Sequence, residues 1–335
     1  MLNQPPIIFI WLGNLPCWAG KALLFASKNN SNQKIIFLTD STDYPSLGRM
    51  VEIVEVSKEY ISEIDAELPK LEFQGIFWKL CSMRFFVLEK FCNTRSISSF
   101  FHPELDNALF CLSGLSNILD LHGTGLFVPR DSSSRAIASL IYCNRTQSLT
   151  ELIDIYRSPT PPLHDMDALD LYDKNFTHFF HSLPTESFDE NKANWEILSP
   201  IETGGIFDAA AIGQYILGVD PIHCQFKPCW NGFVNENCNI DLNSVNFLVE
   251  DSQIFIQYKA SGIKFQIYNI HLHSKNWKSF HKIMSNGDVL KKLNNGDKSI
   301  ISNHLMILVG PMSSVIYRFL AFLWRMYKCI IREIF

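Results

Sequence analysis

The sequence predicts an α/β fold with a mainly parallel central sheet and helices on both of its faces. In the first part of the chain, apolar runs of strand length alternate with segments of helical spacing. These apolar runs are nearly uninterrupted, as is typical of strands that are buried on both faces. The chain has 335 residues, of which 47% are hydrophobic, and this is ample for a core. Together these features favour parallel strands that are joined by crossover helices.

The elements of the first part follow one another in a regular order. Strands are predicted at PIIFIWLG, KIIFLTD, MVEIVEV and SISSFFH. Helices are predicted at CWAGKALLFASK, SKEYISEIDAELPK and IFWKLCSMRFFVLEKFC. The second helix has a good N-cap in Ser57, and Glu59 and Glu63 suit its early turns.

The middle of the chain continues with less regular signals. We expect strands at GLFVPR and AIASLIYCN, a helix at RTQSLTELIDIYR and hairpin-like strands in FLVEDSQIFIQYKASGIKFQIYNIHLHS. The segment TGGIFDAAAIGQYILG predicts a Gly-Gly turn followed by a helix that begins at Ala209. After a proline-rich break, the carboxylates of Asp165, Asp167 and Asp170 indicate a solvated helix start.

Composition excludes some classes of protein. The net charge of −5 provides no general attraction to nucleic acid. No basic segment precedes the first apolar run, so a signal peptide is not expected. Nine cysteines, an odd number, favour reduced thiols and a cytoplasmic location. The group Cys224, Cys229, Cys238 and His223 lacks the ligand spacing of a zinc finger.

Residues 286–335 differ from the rest of the chain. A polar linker leads into amphipathic helices, on which four cations lie within about 80° of one another when viewed down the helix axis: Arg318, Arg325, Lys328 and Arg332. A narrow cationic stripe on a wide apolar helix is typical of an anchor that lies in the membrane interface. The alternative is a terminal helix that packs on the core of its own domain.

Two carboxylates follow the strand predicted at SISSFFH. Glu104 and Asp106 lie at its carboxyl end, where α/β sheets bind their ligands. Acidic residues after a strand often form only a turn. In the alternative interpretation, their oxygen atoms hold Mg²⁺ or Mn²⁺, which prefer hard ligands and keep open positions for substrate oxygens.

Two further features favour a site. Arg84 stands within an otherwise apolar helix, where it must extend to solvent or meet an anion, and a structural ion pair is the alternative to a phosphate or a carboxylate of a sugar site. His271 and His273 alternate along a predicted strand and therefore share one face, with Lys275 and Lys278 following in a polar turn. An imidazole can complete the coordination of an ion held by carboxylates, and a lysine can neutralise phosphate charge.

The order of these motifs resembles that of a known family. The segments WLG, LTD, HPELD, GGIFDAAAIGQYILG and IYNIHLHSKNW are similar to those of nucleotide-sugar-dependent glycosyltransferases of the A-type fold, in particular bacterial enzymes of surface-glycan assembly. The resemblance covers about residues 6–282 and implies a Rossmann-like catalytic domain over 1–285. Its nucleotide-binding half would span about residues 1–110 and its acceptor half about 111–285.

The resemblance also implies a metal site. In the family, an Asp-x-Asp motif binds the divalent ion that bridges the donor diphosphate. Here Asp106 stands at its second position. Glu104 departs from the motif at the first position and is a candidate for metal contact, for contact with the donor ribose or sugar, and for a catalytic role. A late histidine completes the metal shell in the family, and His273 matches it, with His271 as second choice.

Other donor and acceptor contacts are implied in the same way. The resemblance assigns Lys275 or Lys278 to the phosphates, matches Arg84 to the arginine that precedes the acidic motif, and places a base pocket at Trp11, Leu12, Gly13 and Asp40. Asp208 is a candidate catalytic or acceptor-binding carboxylate, and an N-cap is the alternative.

The function that the resemblance implies is a metal-dependent transfer of a sugar from a nucleoside-diphosphate sugar to a glycan or lipid-linked acceptor. The implied cofactor is Mn²⁺ or Mg²⁺, and the implied location is the inner face of the membrane. One alternative is a sugar nucleotidyltransferase, although the first strand lacks the glycine-rich phosphate loop of that class. Another is a non-catalytic sugar- or lipid-binding relative, since the acidic motif departs from the family pattern at Glu104.

Overall fold

A computed structural model describes residues 4–44, 47–68, 76–132, 135–158, 162, 164–185, 198–217 and 244–285. The amphipathic segment 286–335 and the group formed by His223 and the three cysteines lie outside these residues. Within the described part of the chain, no helix combines the length and the apolar character that crossing a bilayer requires.

The described strands and helices follow the predicted alternation. The strands, in chain order, are β1 (Ile7–Trp11), β2 (Ile35–Thr39), β3 (Val51–Glu55), β4 (Phe100–Pro103), β5 (Asn107–Leu109), β6 (Leu126–Ser132), β7 (Arg135–Ala136), β8 (Leu140–Cys143), β9 (Phe180–Leu183), β10 (Gly205–Ile206), β11 (Val245–Glu250), β12 (Gln253–Tyr258), β13 (Lys264–Ile267) and β14 (Asn269–His271). The α-helices are α1 (Ala19–Asn29), α2 (Lys58–Glu67), α3 (Ile76–Arg95), α4 (Leu115–Leu119), α5 (Gln147–Tyr156), α6 (Asp165–Asn175), α7 (Pro200–Thr203), α8 (Ile212–Leu217) and α9 (Trp277–Ser285).

The main sheet is mostly parallel, as predicted. Its strand order is β3-β2-β1-β4-β8-β6-β7, and β9 pairs with β6. The first four strands of this order are parallel, β8 is antiparallel to both of its neighbours, and β9 is parallel to β6. The carboxyl ends of β1, β2 and β4 therefore meet at one edge of the sheet.

Helices cover both faces of this sheet because the buried residues of β1 point alternately to each side. Ile7 and Phe9 belong to one apolar core, which includes the buried residues of α1 and α9. Ile8 and Ile10 belong to a second core, which includes buried apolar residues of α3, α5 and α6. The helix predicted at SKEYISEIDAELPK forms as α2, and the side chain of Ser57 accepts a hydrogen bond from the backbone of Tyr60.

Two small sheets lie beyond the main one and position the site. One has the strand order β10-β13-β12-β11, and the other pairs β5 with β14 in antiparallel fashion. In the second pair, His271 is the register partner of Asn107, which directly follows the acidic motif. Residues from distant parts of the sequence are thereby joined at the carboxyl end of β4.

The predicted helix start at Ala209 is wrong by three positions. Helix α8 begins at Ile212, and the preceding residues form a bend in which Ala210 has a φ of 61°. That left-handed conformation interrupts a helix at a non-glycine residue. The bend carries Asp208 into the interior rather than leaving it at a helix surface.

Candidate metal and donor site

The acidic motif lies in a short turn between β4 and β5. The backbone N–H of Glu104 donates to the carbonyl of Ser139 over 3.0 Å, and the carbonyl of Glu104 accepts from the backbone of Asn107 over 3.1 Å. The backbone N–H of Leu272 donates to the carbonyl of Asp106 over 2.9 Å. The turn is therefore held from two other parts of the chain.

Glu104, Asp106 and His271 form a group that could hold a metal ion. One ligand atom from each of them lies within 4.8 Å of the others. The Nε2 atom of His271 is 3.1 Å from Oδ2 of Asp106 and 3.6 Å from Oε2 of Glu104. Two carboxylates and an imidazole are suitable ligands for Mn²⁺. Mg²⁺ prefers oxygen ligands, which the two carboxylates supply.

Of the two candidate histidines, the structure brings the second choice to the carboxylates, and the role of either toward a metal ion stays a prediction. His271, the second choice, joins the carboxylates, whereas the ring of His273 lies 5.9 Å from that of His271 between centroids and outside the metal-binding group. The physical reason is that β14 ends at His271. The two-residue alternation of a strand does not continue beyond it, so the two rings do not share a ligand position.

Basic side chains contact both carboxylates. The guanidinium of Arg84 donates from Nη1 to Oε1 of Glu104 over 2.9 Å and from Nη2 to Oδ2 of Asp165. The ammonium of Lys275 contacts Oδ2 of Asp106. Of the two alternatives for Arg84, the structural ion pair is therefore the one that the geometry supports.

The interpretation of Asp165 as a solvated residue is wrong. Asp165 begins α6, but it is only 4% exposed because its carboxylate meets the guanidinium of Arg84. Asp170 is also paired, with Arg130 and Lys174, and Asp167 is half-exposed and lies 3.2 Å from the imidazole of His164. The sequence gives little sign of the Asp165 contact, since Arg84 is far away along the chain and the surrounding segment is acidic.

Burial and neighbouring charges shift the pKa values of Glu104, Asp106 and His271 in different directions. Burial raises the pKa of the Glu104 carboxyl, and the charge of Arg84 only partly offsets this. Burial also opposes ionisation of Asp106, but His271 and Lys275 outweigh it and hold the pKa of that carboxyl well below its usual range. Burial lowers the pKa of His271, yet the charge of Asp106 outweighs it and the pKa is raised.

The donor set fits a divalent cation. Asp106 is the carboxylate that stays ionised most readily, and Nε2 of His271 faces it directly. The cluster lies at the sheet edge where parallel strands end, which is the usual position of a ligand site in an α/β sheet. Asp106, His271 and Glu104 are thus the residues that would hold such an ion.

The predicted base-pocket residues lie at the same edge of the sheet, at the ends of β1 and β2. The backbone N–H of Gly13 donates to Oδ1 of Asp40 over 2.7 Å, and Gly13 has a φ of 86° that favours glycine. The indole of Trp11 packs edge-on against that of Trp18, with the ring centroids 5.8 Å apart. The structure thus joins Gly13 to Asp40 directly, and their role toward a nucleotide stays a prediction.

The two candidate lysines differ in position. Lys275 contacts the acidic motif from the turn after β14, with a left-handed φ of 56°. Lys278 is exposed on the first turn of α9. Lys275 is therefore the lysine that the fold brings to the cluster.

Asp208 is completely buried, and its carboxylate accepts four backbone hydrogen bonds. Three of the donors lie at the start of α8, so the carboxylate satisfies backbone N–H groups there as a capping side chain would, although Asp208 itself precedes the N-cap position of a helix that begins at Ile212. The fourth donor is the backbone N–H of His271, which an N-cap alone does not require.

No protein-family model and no curated protein sequence matches the chain. Among solved structures, it is similar to mouse xyloside xylosyltransferase 1 in the apo form, at 10% identity over 54% of this chain and 86% of that one, with a TM-score of 0.38. It is also similar to the glycosyltransferase GlyE of Streptococcus pneumoniae, at 15% identity over 57% of this chain and 49% of that one, with a TM-score of 0.37. A cytidylyltransferase from Leptospira borgpetersenii has 13% identity over 58% of this chain and 79% of that one, with a TM-score of 0.35. Similarity at this level does not assign an activity.

Proposed function

We propose that the protein is a glycosyltransferase that moves a sugar from a nucleoside-diphosphate sugar to an acceptor hydroxyl. The observation that carries the proposal is the group of Glu104, Asp106 and His271 at the carboxyl end of the parallel strands. Two of its members, Glu104 and Asp106, form the acidic motif that follows β4, and this position supports a donor site. The motif resemblance described above points to the same reaction.

The chemistry requires the site to stabilise a departing nucleoside diphosphate, which is a polyanion. A bound divalent cation would supply Lewis-acid stabilisation of that charge. Asp106 and His271 would hold it, with Glu104 kept in place by Arg84. Lys275 carries a flexible ammonium at the same point and is suited to bind a phosphate oxygen.

The proposal is tested by nucleotide binding in titration calorimetry, with and without Mn²⁺. We expect wild-type protein to bind a nucleoside diphosphate in a Mn²⁺-dependent manner. Asp106→Asn should weaken that binding at least about tenfold, because the carboxylate that stays ionised is lost. Asp154→Asn is a matched control, since Asp154 forms only an exposed ion pair on α5. Nucleotide binding that is independent of Mn²⁺ and equal in all three proteins would contradict the proposed site.

A donor screen separates this function from its alternatives. A glycosyltransferase is expected to hydrolyse its nucleotide sugar slowly to a nucleoside diphosphate and a free sugar, without any acceptor. A sugar nucleotidyltransferase would instead require pyrophosphate and form a nucleoside triphosphate with a sugar phosphate. A non-catalytic relative would bind the nucleotide sugar and leave it intact.

We also propose that the acceptor is a glycan or a lipid-linked glycan of surface polysaccharide or lipopolysaccharide assembly. The support is the cationic and aromatic pattern of residues 286–335, which would hold the protein at the inner face of the membrane. A site near that surface would meet lipid-linked acceptors directly.

Deletion of residues 312–335 should release the protein from the membrane. The reason is that the deletion removes all four cations of the stripe and every Phe, Trp and Tyr of residues 286–335. Fractionation of cell lysates, followed by immunoblotting, measures the change. A truncated protein that stays in the membrane fraction would refute the anchoring role.

A further inference from the structure

The carboxylate of Asp208 connects two elements. Its Oδ1 atom accepts hydrogen bonds from the backbone N–H groups of Ala211 over 2.6 Å and Ile212 over 2.8 Å. Its Oδ2 atom accepts from Gly213 and from His271, both over 2.9 Å. The carboxylate therefore joins the start of α8 to the last residue of β14.

The backbones of α8 and β14 touch at the same point. A Cβ atom added to Gly213 would overlap the carbonyl oxygen of His271. Only glycine permits so close an approach. His271 is therefore enclosed on its backbone side by Asp208 and Gly213 together.

The backbone of Asp208 is also tied to the acidic motif. The Ser139 hydroxyl donates to the carbonyl of Asp208 over 2.6 Å, and the Ser139 carbonyl accepts from the backbone of Glu104. The Asn269 side chain accepts from the backbone of Asp208 over 3.2 Å and donates to the side chain of Asn107 over 2.8 Å. Asp208 is thus fixed relative to both sides of the cluster.

The imidazole of His271 lacks the usual support for a metal ligand. A ligating histidine normally donates its second ring N–H to a carboxylate or a carbonyl, which sets the orientation of the ring. Within the described residues, the buried Nδ1 atom of His271 has no hydrogen-bond partner. Besides the contact of Nε2 with Asp106, the position of the ring therefore depends on how the backbone of His271 is held.

We infer that Asp208 is a positioning residue, which fixes the backbone of His271 so that Nε2 faces Asp106 and thereby sets the affinity of the site for a divalent cation. This inference rests on the proposed function and replaces the catalytic role predicted for Asp208. The carboxylate is buried and its oxygen atoms are occupied by backbone donors, so it acts through His271 and not on a substrate.

The variant Asp208→Asn tests the inference in the full-length protein. The amide oxygen of asparagine can still accept from the backbone of Ala211 and Ile212. Its NH₂ group would then face the N–H groups of Gly213 and His271, and because donors cannot pair with donors, those two hydrogen bonds would be lost. The first readout is Mn²⁺ affinity, measured from the electron paramagnetic resonance signal of free Mn²⁺. We expect the dissociation constant to rise about tenfold or more.

The second readout needs no metal. It is the imidazole NMR signal of His271 in protein labelled with ¹⁵N-histidine, assigned by its loss in His271→Gln. We expect Asp208→Asn to shift this signal. Ser199→Ala is the matched control, because Ser199 caps α7 without contacting His271 and its removal should change neither readout.

The outcomes separate the inference from the proposed function. If Asp208→Asn lowers thermal stability but leaves the Mn²⁺ affinity and the His271 signal as in wild type, Asp208 is only a helix cap and the inference is wrong. If wild-type protein binds no Mn²⁺ but the His271 signal shifts in the variant, the metal-dependent function fails and the positioning role stands. Should Asp208→Asn not fold, Ser139→Ala removes one bond to Asp208, and an unchanged His271 signal there would overturn the inference.

Discussion

Replacement of Arg84 by methionine should lower the free energy of unfolding by about 3–5 kcal/mol. Arg84 is only 7% exposed, and its guanidinium is shared between Glu104 and the buried Asp165. Removing it leaves the buried carboxylate of Asp165 without the guanidinium that it contacts, and leaves Glu104 with His271 as its basic neighbour. Methionine keeps an unbranched apolar side chain at this position. The change in the free energy of unfolding therefore arises mainly from loss of the charge and less from loss of packing. Denaturant unfolding, followed by circular dichroism, measures the change.

The same helix provides a control for this prediction. Arg95 also forms an ion pair, with Glu52, but its side chain is 51% exposed. Arg95→Met should therefore change the free energy of unfolding by less than about 1 kcal/mol. The double variant Arg84→Met/Asp165→Leu should recover part of the loss, because it removes a buried carboxylate together with its partner. Equal effects of Arg84→Met and Arg95→Met would show that the buried pairs contribute no more than a surface pair.

Acid should destabilise the protein through His102. This side chain is completely buried in β4, and Nδ1 lies 2.8 Å from the carbonyl of Ile8. Burial, assisted by the charge of Arg84, lowers the pKa of His102 from 6.5 to about 3. Between these values the unfolded chain binds a proton that the folded protein excludes. Stability is therefore fully present above pH 6.5 and is lost as the pH falls, by about 1.4 kcal/mol per unit, or about 2 kcal/mol at pH 5.

The pH dependence is measured by denaturant unfolding at intervals between pH 7.5 and pH 5, in wild type and in His102→Gln. Glutamine does not titrate in this range, so the contribution of His102 is absent from its curve. We expect the variant to be less stable than wild type at neutral pH and to lose less stability toward pH 5. Parallel curves for the two proteins would contradict the prediction.

Much of the fold follows from local sequence. The apolar runs that form β1, β2 and β3 predict strands, and the intervening helical spacing predicts α1 and α2. Because parallel strands end at one edge, the position of Glu104 and Asp106 after β4 predicts a site there. Hydrophobic periodicity is enough to predict these strands and helices because it depends only on residues that are close together in the chain.

Long-range pairings are what the sequence does not show. The choice of His271 over His273 depends on where β14 ends and on its pairing with β5. The burial of Asp165 depends on Arg84, which is distant in the chain. The contact of Asp208 with His271 arises from a bend that helical propensity does not predict. In each case a tertiary contact decides between two interpretations that are locally equivalent.

The pairing of β5 with β14 has a consequence for biosynthesis. Asp106 and Lys275 are 169 positions apart, and Asn107 and Asn269 are 162 positions apart. A ribosome adds about 5–20 residues per second, so the acidic motif leaves the exit tunnel many seconds before its basic and imidazole partners. Until then, the growing chain carries the carboxylates without His271 or Lys275. Assembly of the cluster is therefore a late event of synthesis, and a chain released before β14 would lack a complete site however well its first strands had folded.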